Sequence, residues 1–178
     1  MTITTVEIRK LSIQKRLSRE TLCFSCDLVV NGKKVGEAYN EGHGGCNGYN
    51  IADHATEMAL YEWAKLQVPA VKFEQLDHVI DKLIQNEEDK KEDAKFLKAL
   101  QTKTYLRFKG DEPGTWRIVK SPFTEECKAA IVAKYGDKIE MFANDDPQKA
   151  LALDKAGAEA KKQKWKDDFD KMLAKYRK

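Results

Sequence analysis

Leu22-Cys23-Phe24-Ser25-Cys26-Asp27-Leu28-Val29-Val30-Asn31-Gly32-Lys33-Lys34-Val35-Gly36-Glu37-Ala38-Tyr39 decides the fold class. Leu22, Phe24, Cys26, Leu28 and Val30 alternate with Cys23, Ser25 and Asp27, the period of two of a half-buried strand. Asn31-Gly32 follows at once. Both residues tolerate positive φ, as a type I′ turn requires, so residues 33 to 39 return as the second arm of a hairpin. Residues 3 to 13, which begin with β-branched residues, read as a preceding strand.

Working outward, Glu41-Gly42-His43-Gly44-Gly45-Cys46-Asn47-Gly48-Tyr49-Asn50 places four glycines in seven residues and reads as a loop. A helix follows, capped by Asn50 or Asp53, with Ala55, Ala59, Leu60, Trp63 and Leu66 on its apolar face; Pro69 ends it. Residues 73 to 102 read as one long helix or two shorter ones. Its stripe, from Phe73, Leu76, Val79, Ile80, Leu83 and Ile84 to Ala94, Leu97 and Leu100, is interrupted by the charged run Asn86–Asp93. Tyr105–Phe108 and Trp116–Val119 make a second hairpin around Gly110-Asp111-Glu112-Pro113-Gly114. Thr124 caps a short helix that Gly136 terminates, and Ile139–Phe142 is a further strand.

Asp145 or Asp146, followed by Pro147, opens a last helix that runs to the end of the sequence. Ala158, Lys162, Trp165, Phe169, Met172, Leu173 and Tyr176 form its stripe. Residues 151 to 178 hold nine Lys or Arg against five Asp or Glu, while the whole chain of 178 residues is only +3. The positive charge is therefore concentrated here, which suggests partner docking or oligomerisation through Lys162, Trp165, Lys166, Phe169 and Tyr176. The expected architecture is α+β: an antiparallel or mixed sheet of about six strands, helices on one face and a long C-terminal helix. The expected division is an α+β core over residues 1–146 and an amphipathic basic helix over 147–178.

No stretch reaches the ~20 apolar residues of a membrane span, and the first residues lack the pattern of a signal peptide. Four cysteines in a chain of this size read as reduced thiols, so the expected location is cytoplasmic.

The glycine loop is the leading candidate site. A strand-to-helix loop rich in glycine offers unpaired N–H groups near a positive helix end, so Gly42, His43, Gly44, Gly45, Asn47 and Gly48 are candidates for a small anionic ligand. The loop matches neither a Walker motif nor a dinucleotide fingerprint, and it contains no Lys or Arg. No cofactor is expected from motifs. Zinc is the metal that Cys23-x2-Cys26 and His43-x2-Cys46 would select, as a Cys3His set. A regular strand would point Cys23 and Cys26 to opposite faces, which opposes that reading.

Phe24 to Leu66 resembles the second half of a double-stranded-RNA-binding domain: residues 27 to 38 are similar to its central hairpin, and Ala52 to Leu66 to its final alanine-rich helix. The resemblance covers about a quarter of the chain and implies a ββα unit that contacts nucleic acid. Where that family places a lysine cluster at the helix start, this chain has Asn50-Ile51-Ala52-Asp53-His54, so no RNA-contacting residue is carried over. In size and composition the chain also resembles small accessory proteins of bacteria and bacteriophages.

The expected function is a non-enzymatic binding protein for a small anionic ligand or a protein partner, of inhibitory or sequestering type. One alternative is a nucleic-acid-binding protein using the hairpin–helix unit and the C-terminal lysines. Another is a small metal-dependent enzyme using His43, Cys46, His54 and Glu57, although neither HExxH nor a nucleophile elbow is present.

Overall fold

A computed structural model describes residues 2–176, with the side chain of Tyr176 outside the described set. Seven strands and four helices follow in the order β1 Val6–Ile13, β2 Phe24–Val30, β3 Lys33–Asn40, β4 Gly48–Ile51, α1 His54–Gln67, α2 Gln75–Leu100, β5 Thr104–Phe108, β6 Arg117–Val119, α3 Glu125–Tyr135, a 3-10 turn Gly136–Lys138, β7 Ile139–Phe142 and α4 Pro147–Tyr176. The chain forms two compact units, residues 1–90 and 91–178, divided within α2. The boundary expected at residues 146 and 147 falls at the start of α4.

In the first unit the quoted hairpin forms as expected. Asn31 and Gly32 have φ of 49° and 80°, the left-handed pair of a type I′ turn. Asn31 also accepts from the backbone N–H groups of Thr4 and Thr5, so the turn holds the start of the chain against its own hairpin. Strands β1, β2, β3 and β4 form one antiparallel sheet in sequence order. Phe24, Cys26, Leu28 and Val30 bury one face against Leu60 and Ala64 of α1 and Leu76, Val79, Ile80 and Ile84 of α2.

Three local expectations change. The strand begins at Phe24, so Cys23 is buried ahead of it and Leu22 is exposed, the reverse of their expected faces. Helix α1 buries Thr56, Leu60 and Ala64, an i, i+4 row, and leaves Leu66 in solvent. Phe73 is exposed; Glu74, at φ 56°, follows it, and α2 starts at Gln75.

In the second unit β6, β5 and β7 make a separate antiparallel sheet. Leu106 and Phe142 pack on Ile131 of α3, while Tyr105 and Ala143 pack with Leu100 of α2 and Ala150 of α4. The α+β class, antiparallel pairing and long last helix are as expected, but the strands divide into sheets of four and three. Helices cover both faces of the smaller sheet. Some fifty residues of helix and turn separate β4 from β5, and each set of strands finds its partners locally.

Candidate functional site

The glycine loop is rigidly furnished from its neighbours. Asn40, buried at the end of β3, accepts from Gly42 N at 2.8 Å and from Thr21 Oγ1 at 2.7 Å, and donates to Asn47 Oδ1 at 3.0 Å. Thr21 Oγ1 accepts from Gly44 N at 3.2 Å. Gly42, at φ 83°, lies so close to the preceding segment that a Cβ would fall 2.5 Å from the Leu17 carbonyl oxygen. Gly48 is not in the loop: it begins β4 opposite Tyr39, and a Cβ there would fall 2.4 Å from the Tyr39 ring.

The far side of the loop meets the first turns of α2. Asn47 N donates to Asp77 Oδ2 at 2.8 Å, Tyr49 Oη to Asp77 Oδ1 at 2.6 Å, and Asn47 Nδ2 to Asp81 Oδ1 at 3.2 Å. Burial holds the Asp81 carboxyl above the usual range. The Cys46 thiol donates to Glu74 Oε1 at 3.0 Å, and that hydrogen bond keeps it protonated above the ordinary thiol range. Glu20 completes the acidic surroundings, with its Oε2 beside Gly44.

The amides of Gly42, Gly44 and Asn47 are thus already used. The first N–H groups of α1 are capped by Asp53, which accepts from Ala55 N and Thr56 N. A 280 Å³ cleft at the loop is lined by Tyr39, Asn40, Glu41, His43, Gly44, Cys46 and Gly48, with Glu41 as its one carboxylate. Beside the loop, Cys46, Glu74 and Asp77 bring one ligand atom each within 4.8 Å of one another.

That trio is the one cluster of three or more metal-ligating residues among the described residues, so the Cys23, Cys26, His43 and Cys46 set is not assembled. Cys26 faces the core opposite Ala38, and burial raises its pKa to about 11. His43, Cys46, His54 and Glu57 do not converge either: His54 Nδ1 lies 3.4 Å from Glu57 Oε2 on the open surface of α1, as an i, i+3 pair.

The second candidate site is α4. Asp146 caps it by accepting from Lys149 N at 3.0 Å. Its first three turns are anchored by buried Ala150, Leu151 and Gly157. A Cβ on Gly157 would fall 2.1 Å from the Pro113 carbonyl oxygen. Trp116 Nε1 donates to Asp154 Oδ1 at 3.2 Å, and Lys155 pairs with Asp93 at 2.7 Å. From Ala158 to Lys175 every residue is exposed. Trp165 is 68% exposed and stacks on Phe169, with ring centroids 5.4 Å apart and an angle of 11° between planes. Met172 and Leu173 continue the patch, 44% and 36% exposed.

No known protein family, curated protein or solved structure matches this chain. The chain's own charges separate the two sites. Residues 1–90 carry 11 Lys and Arg against 14 Asp and Glu, and residues 91–178 carry 21 against 15. Lys162, Trp165, Lys166 and Phe169 lie on one exposed stretch of helix, while the expectation at Tyr176 falls on a side chain outside the described set. The carboxylates that surround the loop escaped the sequence reading because they lie about thirty residues downstream, on another element. Among the described residues no helix is long and apolar enough to cross a membrane.

Proposed function

We propose that this chain is a non-enzymatic binding protein that docks a protein partner through the exposed half of α4. One observation carries the reading: eighteen consecutive helical residues, Ala158 to Lys175, are all exposed, yet they present Trp165, Phe169, Met172 and Leu173 together. An isolated helix of this length is marginal in water, because nucleation is costly and no apolar face is buried to offset it. Large aromatic residues and Met are enriched where one protein surface meets another, and here they cluster on one helical face. A groove on a partner that covers this stripe supplies the missing burial in the way amphipathic helices are commonly recognised.

The test is native mass spectrometry of the chain purified gently from cells, beside a Trp165→Ala/Phe169→Ala variant. Neither side chain supports the core, so the variant keeps the native circular dichroism and melting temperature. The expected result is an added polypeptide mass on the native chain that is missing from the variant. A clean mass for both, or an added mass that the variant retains, removes the reading. An added mass of nucleotide or oligonucleotide size would favour nucleic-acid binding instead.

A further inference from the structure

A cleft of 320 Å³ opens in the first unit between the segment leading into β2 and the middle of α2. Thr21, Leu22 and Phe24 line one side; Asp81, Ile84, Gln85 and Glu88 line the other. The α2 residues fall at i, i+3, i+4 and i+7, so they form one stripe along the helix. A carboxylate stands at each end of that stripe, and the apolar Ile84 lies between them. Leu22, 37% exposed, and the core residues Phe24 and Ile84 give the cleft its apolar lining.

The two carboxylates are open to a cation. Asp81 Oδ1 accepts from Asn47 Nδ2 at 3.2 Å, and among the described residues neither Asp81 nor Glu88 forms an ion pair. No Lys or Arg lines the cleft. Asp81 is already partly desolvated, so a cation brought against it interacts more strongly than it would with a carboxylate in bulk water.

The spacing narrows the chemistry of the ligand. Seven helical residues rise about 10 Å, which separates the two carboxylate-bearing positions. One metal ion cannot be held by both, because oxygen ligands lie only about 2–2.6 Å from the cation. An anion would meet two carboxylates and no basic residue. A neutral apolar molecule would cover the middle of the cleft and leave both ends without a partner. The lining matches a linear chain that is apolar in the middle and cationic at both ends. A staggered alkyl chain of about eight bonds at ~1.5 Å each reaches roughly 10 Å. Ammonium heads donate charge-assisted hydrogen bonds to carboxylates.

We propose that this cleft binds an α,ω-diammonium alkane, an alkyl diamine or polyamine of that span. Its heads pair with Asp81 and Glu88, and its methylene chain lies over Leu22, Phe24 and Ile84.

The test is an NMR titration of the isotopically labelled full chain with α,ω-diaminoheptane, α,ω-diaminopropane, heptylamine and pimelate. Diaminoheptane is expected to shift the amides of Leu22, Phe24, Ile84 and Gln85. It should bind roughly tenfold more tightly than diaminopropane, which is too short, or heptylamine, which has one head. Asp81→Asn and Glu88→Gln should each reduce diaminoheptane to the affinity of heptylamine. Both changes keep side-chain size, and the amide dispersion of each variant checks its fold. Pimelate, a chain of similar length with a carboxylate at each end, should not bind. Equal affinity for diaminopropane overturns the match in span, and equal affinity for heptylamine overturns the role of two heads. Binding that the Asp81→Asn/Glu88→Gln variant retains, or shifts confined to other parts of the chain, places the amine outside the cleft and overturns the site. So does the absence of any shift with the amines, or binding of pimelate as tight as that of diaminoheptane.

Discussion

Tyr49 Oη donates to Asp77 Oδ1 at 2.6 Å, and this bond ties β4 to the first turn of α2. Asp77 accepts at the same time from Asn47 N at 2.8 Å, so one carboxylate anchors both the end of the glycine loop and the strand after it. Tyr49→Phe removes a hydrogen bond to a charged acceptor in a partly buried place. It should lower stability by about 1.5–3 kcal/mol in urea unfolding. A loss of less than ~0.5 kcal/mol, the range of ordinary surface changes, would show that the contact is incidental.

The thiols should differ sharply in reactivity. Cys46 is exposed, but its hydrogen bond to Glu74 holds it protonated, while Cys26 is both buried and raised to about 11. An aromatic disulfide reagent at about pH 8 should modify Cys46 before Cys26, at a rate below that of a free thiol, because the thiolate is the reactive form. Glu74→Gln should speed modification of Cys46 and leave Cys26 unchanged. No acceleration would mean that Glu74 does not control the thiol.

Acid titration should separate two kinds of carboxylate. Asp27 is held below the usual range by hydrogen bonds from Lys34 and then Lys10, and Asp53 by the Thr56 hydroxyl and then the Thr56 N–H. A lowered folded pKa contributes stability above the unfolded value that is lost as pH falls through the folded one. Asp81 runs the other way: raised by burial, its ionisation removes stability as pH rises through its folded pKa. Asp81→Asn should therefore be more stable than the native chain at about pH 7 and converge with it below about pH 4, where both side chains are neutral. A constant difference across that range would contradict the burial effect.

Arg107 is buried on β5, where its Nε donates to Glu140 at 2.8 Å and its Nη2 to the Asp111 carbonyl oxygen, leaving Nη1 without a hydrogen-bond partner. Glu140→Ala strands a buried guanidinium and should destabilise the second unit by about 2–3 kcal/mol, below the ~3–5 of a fully buried pair because Glu140 is partly exposed. Arg107→Met together with Glu140→Leu should recover most of that loss, because the seat would then hold neutral groups. Failure of the double variant to recover would show that the guanidinium bonds themselves hold the turn.

Gly157 lies within α4, where glycine ordinarily weakens a helix by about 0.5–1 kcal/mol relative to Ala. Gly157→Ala should nevertheless destabilise the second unit, by about 1–3 kcal/mol, because its methyl group would overlap the backbone at Pro113 and Gly114. A melting temperature equal to or above that of the native chain would show that α4 can move off the turn freely.

Local chemistry was enough to place the elements. Asn31-Gly32 specified its turn because a type I′ turn needs positive φ at both central residues and matches the natural twist of its strands. Asp53, Thr124 and Gly136 marked helix ends because capping is a matter of one or two side chains and the adjacent backbone. The basic, aromatic stripe of α4 was equally legible, since a helical face is set by spacing alone. Which sheet edges pair, and what surrounds the loop, depended on distant segments. Glu74, Asp77 and Asp81 reach the glycine loop only because α2 packs on the first sheet, and they accept hydrogen bonds from Cys46 and Asn47 there. The sequence by itself determined hairpins, helix ends and the charge of α4, because these rest on neighbours along the chain. Only the tertiary structure decided that the strands form two sheets, that the amides of Gly42, Gly44 and Asn47 are already taken, and that α4 is exposed beyond Gly157, because burial and field are sums over residues remote in sequence.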